Sequence, residues 1–325
     1  MSAPAISAKG LRVVYRPGLF QRSRVGLAEL DLEVAENEVF GYVGANGAGK
    51  TTTIKTLVGL IQPDGGEAWI LGEPAADASA RAGLGYAPEN PYFYEYLTAR
   101  ETLEFYARLF GVDRAARRKR AGELLDRVGL SAAADRRVRQ FSKGMLQRLG
   151  LAQAMVNDPK VLILDEPMTG LDPVGRHDVR GLILELKSRG KTVFFSSHIL
   201  SDVEALCDRA AILHDGRMVS CGRLADMLSG KVLDVEMVLA GVAPEFEKEL
   251  VRLAVRSRRQ GAELFLTMAD EPAADEVVRR AVAARASVRS LVRTRESLED
   301  YFLRVRREAG AVGADGTGRG EGGGA

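Results

Sequence analysis

The sequence contains few cysteines, no long apolar run and almost no excess of either charge. Its two cysteines, Cys207 and Cys221, form no C-x-x-C pair, so it indicates neither a disulfide framework nor a zinc site. The longest apolar runs, such as residues 161–164, are far shorter than the roughly 18 to 20 residues of a membrane-spanning helix. Residues 1–5 also lack the basic and apolar regions of a secretory signal. We therefore expect a cytoplasmic protein that does not itself span a membrane.

The charge balance indicates which partners the protein binds, and the length indicates how many domains it has. Lysine and arginine number 46 and aspartate and glutamate 44, so the formal net charge is only +2. Because phosphate backbones are held by concentrated cationic surfaces, we expect no nucleic-acid partner. The 325 residues are about twice the roughly 150 that one domain usually needs, and 46% of them are hydrophobic. The sequence thus predicts one large domain and one smaller domain.

Residues 1–225 alternate short apolar runs with longer helical patterns, which is typical of an α/β fold. Continuous apolar runs at 39–43, 161–164 and 192–195 predict strands that are buried on both faces of a sheet. A mostly helical, arginine-rich stretch at about 90–157 lies between the first two of these runs. We predict that it is a helical subdomain inserted between core strands.

The pattern changes after residue 230. Strand-like alternation, as at 232–238, and helical patterns, as at 274–284, follow one another up to residue 307. They predict a small accessory α+β domain at 231–307. Residues 308–325 are dominated by glycine and bury too little surface to offset their ordering entropy, which indicates a disordered tail.

One eight-residue motif indicates a phosphate-binding loop. Residues 44–51 fit the pattern G-x-x-x-x-G-K-[ST], directly after the strand at 39–43 and before a helical run at 52–60. Glycines let successive N–H groups point at phosphate oxygens, and the helix N-terminus adds partial positive charge. We expect Lys50 to hold the β- and γ-phosphates as a catalytic residue and Thr51 to ligate Mg²⁺. The predicted nucleotide-binding residues of this segment are Gly44, Asn46, Gly47, Ala48, Gly49, Lys50, Thr51 and Thr52.

Two adjacent carboxylates, Asp165 and Glu166, follow the apolar run at 161–164. They stand where a strand emerges at the carboxyl edge of a sheet, which is where ligands bind in α/β folds. The two acids can divide the work: Asp165 would hold Mg²⁺, directly or through water, and Glu166 would activate the attacking water as a general base. A solvated turn is the alternative for such a pair, and the phosphate loop argues against it.

With these motifs, residues 6–222 resemble the ATP-binding cassette (ABC) family, which implies a P-loop NTPase fold that binds ATP. Residues 141–145, Phe-Ser-Lys-Gly-Met, stand where the family carries its signature Leu-Ser-Gly-Gly-Gln. Only Ser142 and Gly144 match. The resemblance implies that these two bind the γ-phosphate of an ATP held by a second cassette, while Lys143 and Met145 depart from the pattern.

Further site residues are implied by the same resemblance. Asp172, in Gly-Leu-Asp-Pro, would lie at the interface between two cassettes, a role compatible with capping the following helix. His198 stands at the position of the switch histidine, which contacts the γ-phosphate and orients the water, so we expect it to be catalytic. Tyr15 matches the aromatic residue that stacks on adenine, although packing is the alternative. Glu89 replaces the usual glutamine that senses Mg²⁺, and its carboxylate can still coordinate the ion or its waters.

Beyond the site, the resemblance extends to single-cassette ATPase subunits of bacterial exporters whose membrane subunits are separate chains. It implies an ATP hydrolase that dimerises, with a second copy of itself or a homologous cassette, around two ATP molecules. The partner would be a polytopic permease, and the ATPase would lie peripherally on the cytoplasmic face of the inner membrane. Four aromatic residues within 92–96 either receive a helix of that permease or pack within the helical subdomain.

A different class of function stays open at this stage. The alternative is a soluble ABC-type ATPase that acts on ribosomes or nucleic acid, or an ATPase that works as a switch with residues 232–307 as a regulatory or scaffolding module. The single cassette, the near-zero charge and the lack of long heptad arms argue against the first of these. We therefore favour the transporter subunit.

Overall fold

The computed structural model of the chain describes residues 3–16, 23–228 and 232–315. Internal contacts divide these residues into two compact units. The first extends to Leu224 and resumes at Val305, and the second comprises Ala225–Arg304. The sequence predicts domains at 1–225 and 231–307, and the division after Leu224 lies beside the first of these limits.

The strands and helices of the first unit alternate along the chain. Its strands are β1 (Ile6–Tyr15), β2 (Arg24–Leu27), β3 (Leu32–Val34), β4 (Val39–Gly44), β5 (Gly65–Ile70), β6 (Glu73–Pro74), β7 (Leu84–Ala87), β8 (Val161–Leu164), β9 (Thr192–Ser197), β10 (Arg209–His214) and β11 (Arg217–Arg223). Its helices are α1 (Lys50–Leu57), α2 (Ala78–Ala82), α3 (Ala99–Leu109), α4 (Arg114–Arg127), α5 (Lys143–Ala154), α6 (Pro173–Ser188) and α7 (Leu200–Leu206), with 3₁₀ turns at Ser131–Ala133 and Val138–Gln140.

A six-stranded sheet forms the centre of this unit, in the order β11-β10-β4-β9-β8-β7. All neighbouring pairs are parallel except the edge strand β11, which is antiparallel to β10. Every residue of β4, β8 and β9 is buried, because helices and a second sheet cover both faces. Parallel alignment places the carboxyl ends of these strands at one edge, where the predicted phosphate loop, carboxylate pair and histidine follow them.

The second sheet of this unit is antiparallel, in the order β2-β1-β5-β6, and β3 also pairs with β1. Its inward side chains share one core with the central sheet, so that Ile6 and Leu11 belong to the same buried cluster as Phe40, Ile54 and Phe194. This shared core fixes β1 and β2 beside the phosphate loop and brings the end of β1 to the site described below.

Helices α3, α4 and α5 lie between β7 and β8, within the stretch 90–157 for which the sequence predicts a helical subdomain. Its first helix begins with a capping box, in which Thr98 accepts the N–H of Glu101 and the Glu101 carboxylate accepts the N–H of Thr98. Asp113 and Ser142 cap α4 and α5 through their side chains. The start of α5 is therefore fixed at the segment that carries the signature motif.

The second unit has the order β-α-β-β-α-β. Helix α8 (Leu224–Leu228) leads into β12 (Val232–Ala240), α9 (Pro244–Leu253), β13 (Arg256–Gln260), β14 (Glu263–Met268), α10 (Glu271–Ala283) and β15 (Ser287–Arg295), and α11 (Leu298–Asp315) follows. The four strands form an antiparallel sheet in the order β13-β14-β12-β15. Val235, Met237 and Leu266 of the sheet pack with Leu250 and Val277 of the helices into a separate core.

The end of the chain differs in part from the sequence prediction. We predict a disordered tail at 308–325, but α11 continues through residues 308–315 to Asp315. Alanines among these residues favour a helix, which explains the difference. The rest of the predicted tail, 316–325, lies outside the described residues. No helix among the residues that the structure describes is long and apolar enough to cross a membrane.

Phe194 provides a test of the central packing. Its ring is buried on β9 and lies 5.7 Å from the ring of Phe40 and 5.2 Å from that of Tyr42, centroid to centroid. We expect Phe194→Ala to lower the free energy of unfolding of the first unit by about 3–5 kcal/mol, because it opens a cavity among aromatic rings. Thermal and urea unfolding measure this loss. The exposed Leu184→Ala on α6 is the control, and a similar loss there would contradict the assignment of the core.

Candidate functional site

The phosphate loop connects β4 to α1 and can be built only with glycine at two positions. Gly47 and Gly49 have φ values of +81° and +110°, in the region that L side chains rarely adopt. A Cβ atom at Gly49 would also lie 2.7 Å from the carbonyl oxygen of Gly26 on β2. The backbone of the loop therefore curves tightly ahead of the N-terminus of α1, which begins at Lys50.

Lys50 is buried at the base of this loop. Its Nζ atom donates to the carbonyl oxygen of Gly44 at 2.6 Å and lies 3.3 Å from Oε1 of Glu166. Both side chains are more than nine-tenths buried, so the two charges neutralise each other away from bulk water. The sequence places these residues in separate motifs, and the structure brings them into one ion pair.

Glu166 is the centre of the polar cluster at the end of β8. His198, directly after β9, lies with Nδ1 2.8 Å from Oε2 of Glu166. The hydroxyl of Thr169 donates to the same oxygen at 3.4 Å. The carboxylate thus contacts an ammonium group on one side and an imidazole on the other. Such a base, held by a second group, has the arrangement needed to accept a proton from water.

Asp165 lies behind Glu166 and contacts a residue that the sequence analysis does not assign. The hydroxyl of Ser196, at the end of β9, donates to Oδ1 of Asp165 at 2.6 Å and accepts the N–H of Glu166 at 2.9 Å. From the other side, Nε2 of Gln147 on α5 donates to the carbonyl oxygen of Glu166 at 3.4 Å. A polar side chain at the carboxyl end of a buried strand is the signal that could have identified Ser196.

A cavity of about 540 Å³ opens over this cluster, within the range of volumes that hold a small ligand. It is lined by Tyr15, Arg24, Val25, Gly26, Ala45, Asn46, Gly47, Gly49, Lys50, Thr51, Thr52, Glu89, Glu166, Thr169 and His198. Gly44, Ala48 and Asp165, also predicted for the site, lie in the buried layer beneath it. The structure therefore gathers Tyr15, the phosphate loop, Glu89, Glu166 and His198 from five separate segments around one space.

Arg24 is a charged residue of the cavity lining that carries no sequence signal. It begins the short strand β2, and a Cβ atom built on Gly47 would lie 3.2 Å from its Nη2 atom. Its guanidinium group thus lies beside the phosphate loop. Because β2 carries no motif, only the pairing of β2 with β1 reveals that a second cation stands at the loop.

Tyr15 ends β1 at the mouth of the cavity. Its hydroxyl lies 3.0 Å from Oγ1 of Thr52, and its ring is close enough to Gly26 that a Cβ atom there would lie 2.7 Å from the ring. The ring is still about two-fifths exposed. It is positioned at α1 and keeps an open surface, as a residue that stacks on a planar ligand must.

Ser142, Gly144 and Asp172 are not part of this cavity. The Ser142 hydroxyl accepts the N–H of Met145, and Asp172 accepts the N–H of Gly175, so both residues cap helices. A Cβ atom on Gly144 would lie 3.4 Å from the Leu171 side chain, which places the start of α5 beside the segment before α6. The two predicted contact sites for a second cassette therefore adjoin each other on the surface.

Two tyrosines near the site, the half-buried Tyr86 and the fully buried Tyr42, stay protonated at neutral pH. Burial, with a smaller contribution from the negative charge of Asp165, raises the pKa of Tyr86 to about 12. Burial also raises the pKa of Tyr42, whose hydroxyl lies 2.9 Å from that of Thr53 on α1. Neither hydroxyl therefore serves as a proton donor or acceptor near neutral pH.

The residues around the cavity fit ATP together with Mg²⁺. The tight loop, the N-terminus of α1, Lys50 and Arg24 provide N–H donors and positive charge for a polyphosphate. The Thr51 hydroxyl and the carboxylates of Asp165 and Glu89 are hard oxygen donors, which Mg²⁺ prefers. The exposed ring of Tyr15 suits a planar base.

Comparison with known proteins places this site in a family. Residues 27–169 match the ABC transporter family. An uncharacterized ABC transporter ATP-binding protein of Synechocystis sp. is 44% identical over 301 residues, which cover 91% of this chain and 83% of that protein. The Nod factor export ATP-binding protein I of Paraburkholderia xenovorans is 37% identical over 279 residues, 85% of this chain and 90% of that protein.

A solved structure extends the comparison to the fold. It is a dimeric, post-hydrolysis state of an ATP-binding cassette bound to ADP and Pi, 25% identical, with a TM-score of 0.63. The similarity covers 67% of this chain and 98% of that chain. These findings confirm the fold class and the family resemblance predicted from the motifs. The chain belongs to the ATP-binding subunits of ABC transporters, and, like the cassettes of that family, it binds ATP with Mg²⁺ and hydrolyses ATP.

Proposed function

We propose that this subunit drives an exporter whose membrane-spanning permease is a separate chain. The observation that carries the ATPase part is the cluster of Lys50, Glu166 and His198 beneath one cavity at the sheet edge. Export is supported by the similarity to a Nod factor export ATP-binding protein. In this proposal the chain acts in the cytoplasm, peripherally on the inner membrane.

The residues predicted for the cavity divide the work of the proposed reaction among them. The loop residues Gly44–Thr52 and Lys50 hold the phosphates, and Tyr15 stacks on the adenine. Glu166 accepts the proton of the attacking water, while His198 orients that water and contacts the γ-phosphate. Lys50 lies 3.3 Å from Glu166, close enough to move between the carboxylate and the phosphate oxygens.

Thr51, Asp165 and Glu89 would hold Mg²⁺, which supplies charge neutralisation at the phosphates when it is bound. The structure offers Asp165 in a fixed orientation, because Ser196 donates to its carboxylate. Glu89 follows β7 and reaches the cavity from the strand next to β8, so its position supports the role inferred for it.

The second half of the site would come from another cassette. Ser142 and Gly144, at the N-terminus of α5, would bind the γ-phosphate of ATP in the partner, and Asp172 would lie at the same interface. The separation of these residues from the cavity of their own chain supports this arrangement, as does the dimeric state of the similar solved cassette. The partner is a second copy or a homologous cassette.

An aromatic surface on the helical subdomain supports a protein partner. It consists of Tyr94, Tyr96 and Phe105, together with Tyr92 of the same segment, all of which are exposed. The ring of Tyr94 lies 5.8 Å from that of Tyr96 and 5.6 Å from that of Phe105, so these three rings form one cluster. Exposed aromatic clusters of this kind anchor partner helices. We assign the aromatic surface to a cytoplasmic helix of the permease.

The general base gives the most direct test of the ATPase mechanism. Glu166→Gln should lower kcat about 10²- to 10⁴-fold, because the amide cannot accept the proton of the water. ATP binding should persist, and an ATP-bound dimer should accumulate on size-exclusion chromatography. Glu185→Gln is the matched control, because Glu185 is a half-buried, ion-paired glutamate of α6 that does not line the cavity. Near-normal turnover of Glu166→Gln would remove Glu166 from the role of base.

Tyr15 tests the position of the base of ATP. Tyr15→Ala should weaken ATP binding by about 2- to 10-fold, because aromatic stacking contributes about 0.5–1.5 kcal/mol. Tyr15→Phe keeps the ring, loses only the contact with Thr52, and should bind almost as well as the natural protein. Titration with a fluorescent ATP analogue measures both. Equal losses in the two variants would assign the effect to the hydroxyl instead of the ring.

Purification from detergent-solubilised membranes tests the permease. A tagged full chain should recover one polytopic membrane protein, identified by mass spectrometry. The double variant Tyr92→Ala/Tyr96→Ala should recover less of it with unchanged ATPase activity, while Leu60→Ala, an exposed residue outside the aromatic surface, should not. Recovery of ribosomes or DNA in its place would favour the soluble class of ABC-type ATPase.

A further inference from the structure

Ser196 is a fully buried hydroxyl that the proposed reaction does not use, although it contacts both carboxylate-bearing residues of the site. It donates its only proton to Oδ1 of Asp165 at 2.6 Å. Its oxygen accepts the backbone N–H of Glu166 at 2.9 Å. The Ser196 side chain on β9 therefore fixes both the Asp165 carboxylate and the Glu166 backbone N–H, which follow the end of the neighbouring strand β8.

The backbone of Glu166 needs such support. Its φ of +50° lies in the left-handed region, which a residue with a side chain adopts only when its surroundings hold it there. Ser196 holds the N–H of this residue, and Gln147 donates to its carbonyl oxygen from α5. The left-handed turn directs the Glu166 carboxylate to Lys50 and His198, while Asp165 remains in the layer below.

We propose that Ser196 is a positioning residue for ATP hydrolysis, which orients the Asp165 carboxylate and holds the Glu166 backbone in its left-handed conformation. This inference rests on the proposed roles of Asp165 and Glu166. Loss of the hydroxyl frees the Asp165 carboxylate to turn and leaves the Glu166 N–H buried without an acceptor. Both changes reach the reaction through other residues, since Ser196 does not line the cavity.

If Ser196 had only a structural role, its hydroxyl would do no more than pair with buried polar groups. Another residue of β9 provides a matched control for such a role. Thr192, at the other end of the strand, is also buried, and its hydroxyl accepts the N–H of Asn37 at 2.9 Å. Thr192→Val removes that acceptor without touching the site. Its effect on stability therefore reports the general cost of deleting a buried hydroxyl from this strand.

The test measures kcat, KM and ATP affinity of full-length Ser196→Ala, Ser196→Cys and Thr192→Val. Because a hydrogen bond to a charged group contributes about 1.5–3 kcal/mol, we expect both Ser196 variants to lose about 10- to 100-fold in kcat. The cysteine side chain fills the space of the serine but hydrogen-bonds weakly, so a loss of kcat in Ser196→Cys cannot come from a cavity.

The affinity for ATP without Mg²⁺ should stay within about twofold of the natural protein in all three variants. The gain in ATP affinity on adding Mg²⁺ should shrink only in the two Ser196 variants. Thermal unfolding identifies any variant that is not folded.

A double-mutant cycle with Glu166→Gln separates positioning from stability. If Ser196 acts through Glu166, Ser196→Ala should lower the residual single-turnover rate of Glu166→Gln by less than about threefold. The inference is overturned if Ser196→Ala and Ser196→Cys keep normal kcat, or if Thr192→Val loses as much. Effects of Ser196→Ala and Glu166→Gln that multiply would overturn the part of the inference that runs through Glu166. Normal turnover of Glu166→Gln by itself would instead overturn the proposed role of Glu166.

Discussion

The parallel alignment of β4, β9 and β8 is the constraint on which the rest of the site depends. It ends three buried strands at one edge, and each strand is followed by a different functional group: Lys50, His198 and Glu166. No single segment contains a complete site. The contacts among the three groups, at 2.8 and 3.3 Å from Glu166, exist because the strands are neighbours in the sheet. The core rings of Phe40, Tyr42 and Phe194 hold that order.

The sequence predicts those parts of the site that local patterns encode. The phosphate loop and the Asp165–Glu166 pair follow recognisable strands, and the fold class follows from the same alternation of elements. Arg24 and Gln147 could not be predicted, because their contacts depend on which segments the tertiary fold brings together. Ser196 carries only the general signal of a polar residue near the end of a buried strand. In the second unit, β13 and β15 also have no strand signal. They are edge strands rich in arginine, and the exposed residues of β13 show none of the apolar alternation that marks β14.

The polar residues of the first unit lie on two separate surfaces, and the proposed action of the cassette as half of a dimer depends on this separation. The cavity collects the groups that act on phosphate, while the N-termini of α5 and α6 adjoin each other away from it. Gln147 connects these surfaces, since it lies on α5 and donates to the Glu166 carbonyl oxygen. A helix that would contact the partner's nucleotide is thereby joined to the backbone of Glu166, the proposed general base of its own chain.

The ion pair between Lys50 and Glu166 implies that a bound nucleotide exchanges places with a carboxylate as the partner of Lys50. The buried ammonium already has a carboxylate beside it, so an incoming phosphate replaces one anion with another instead of adding charge to a bare cation. The desolvation of Lys50 has therefore occurred during folding, before any ligand arrives. Movement of the Lys50 ammonium group towards a bound phosphate would release the Glu166 carboxylate, which is the proposed base, only when a nucleotide is present to be hydrolysed.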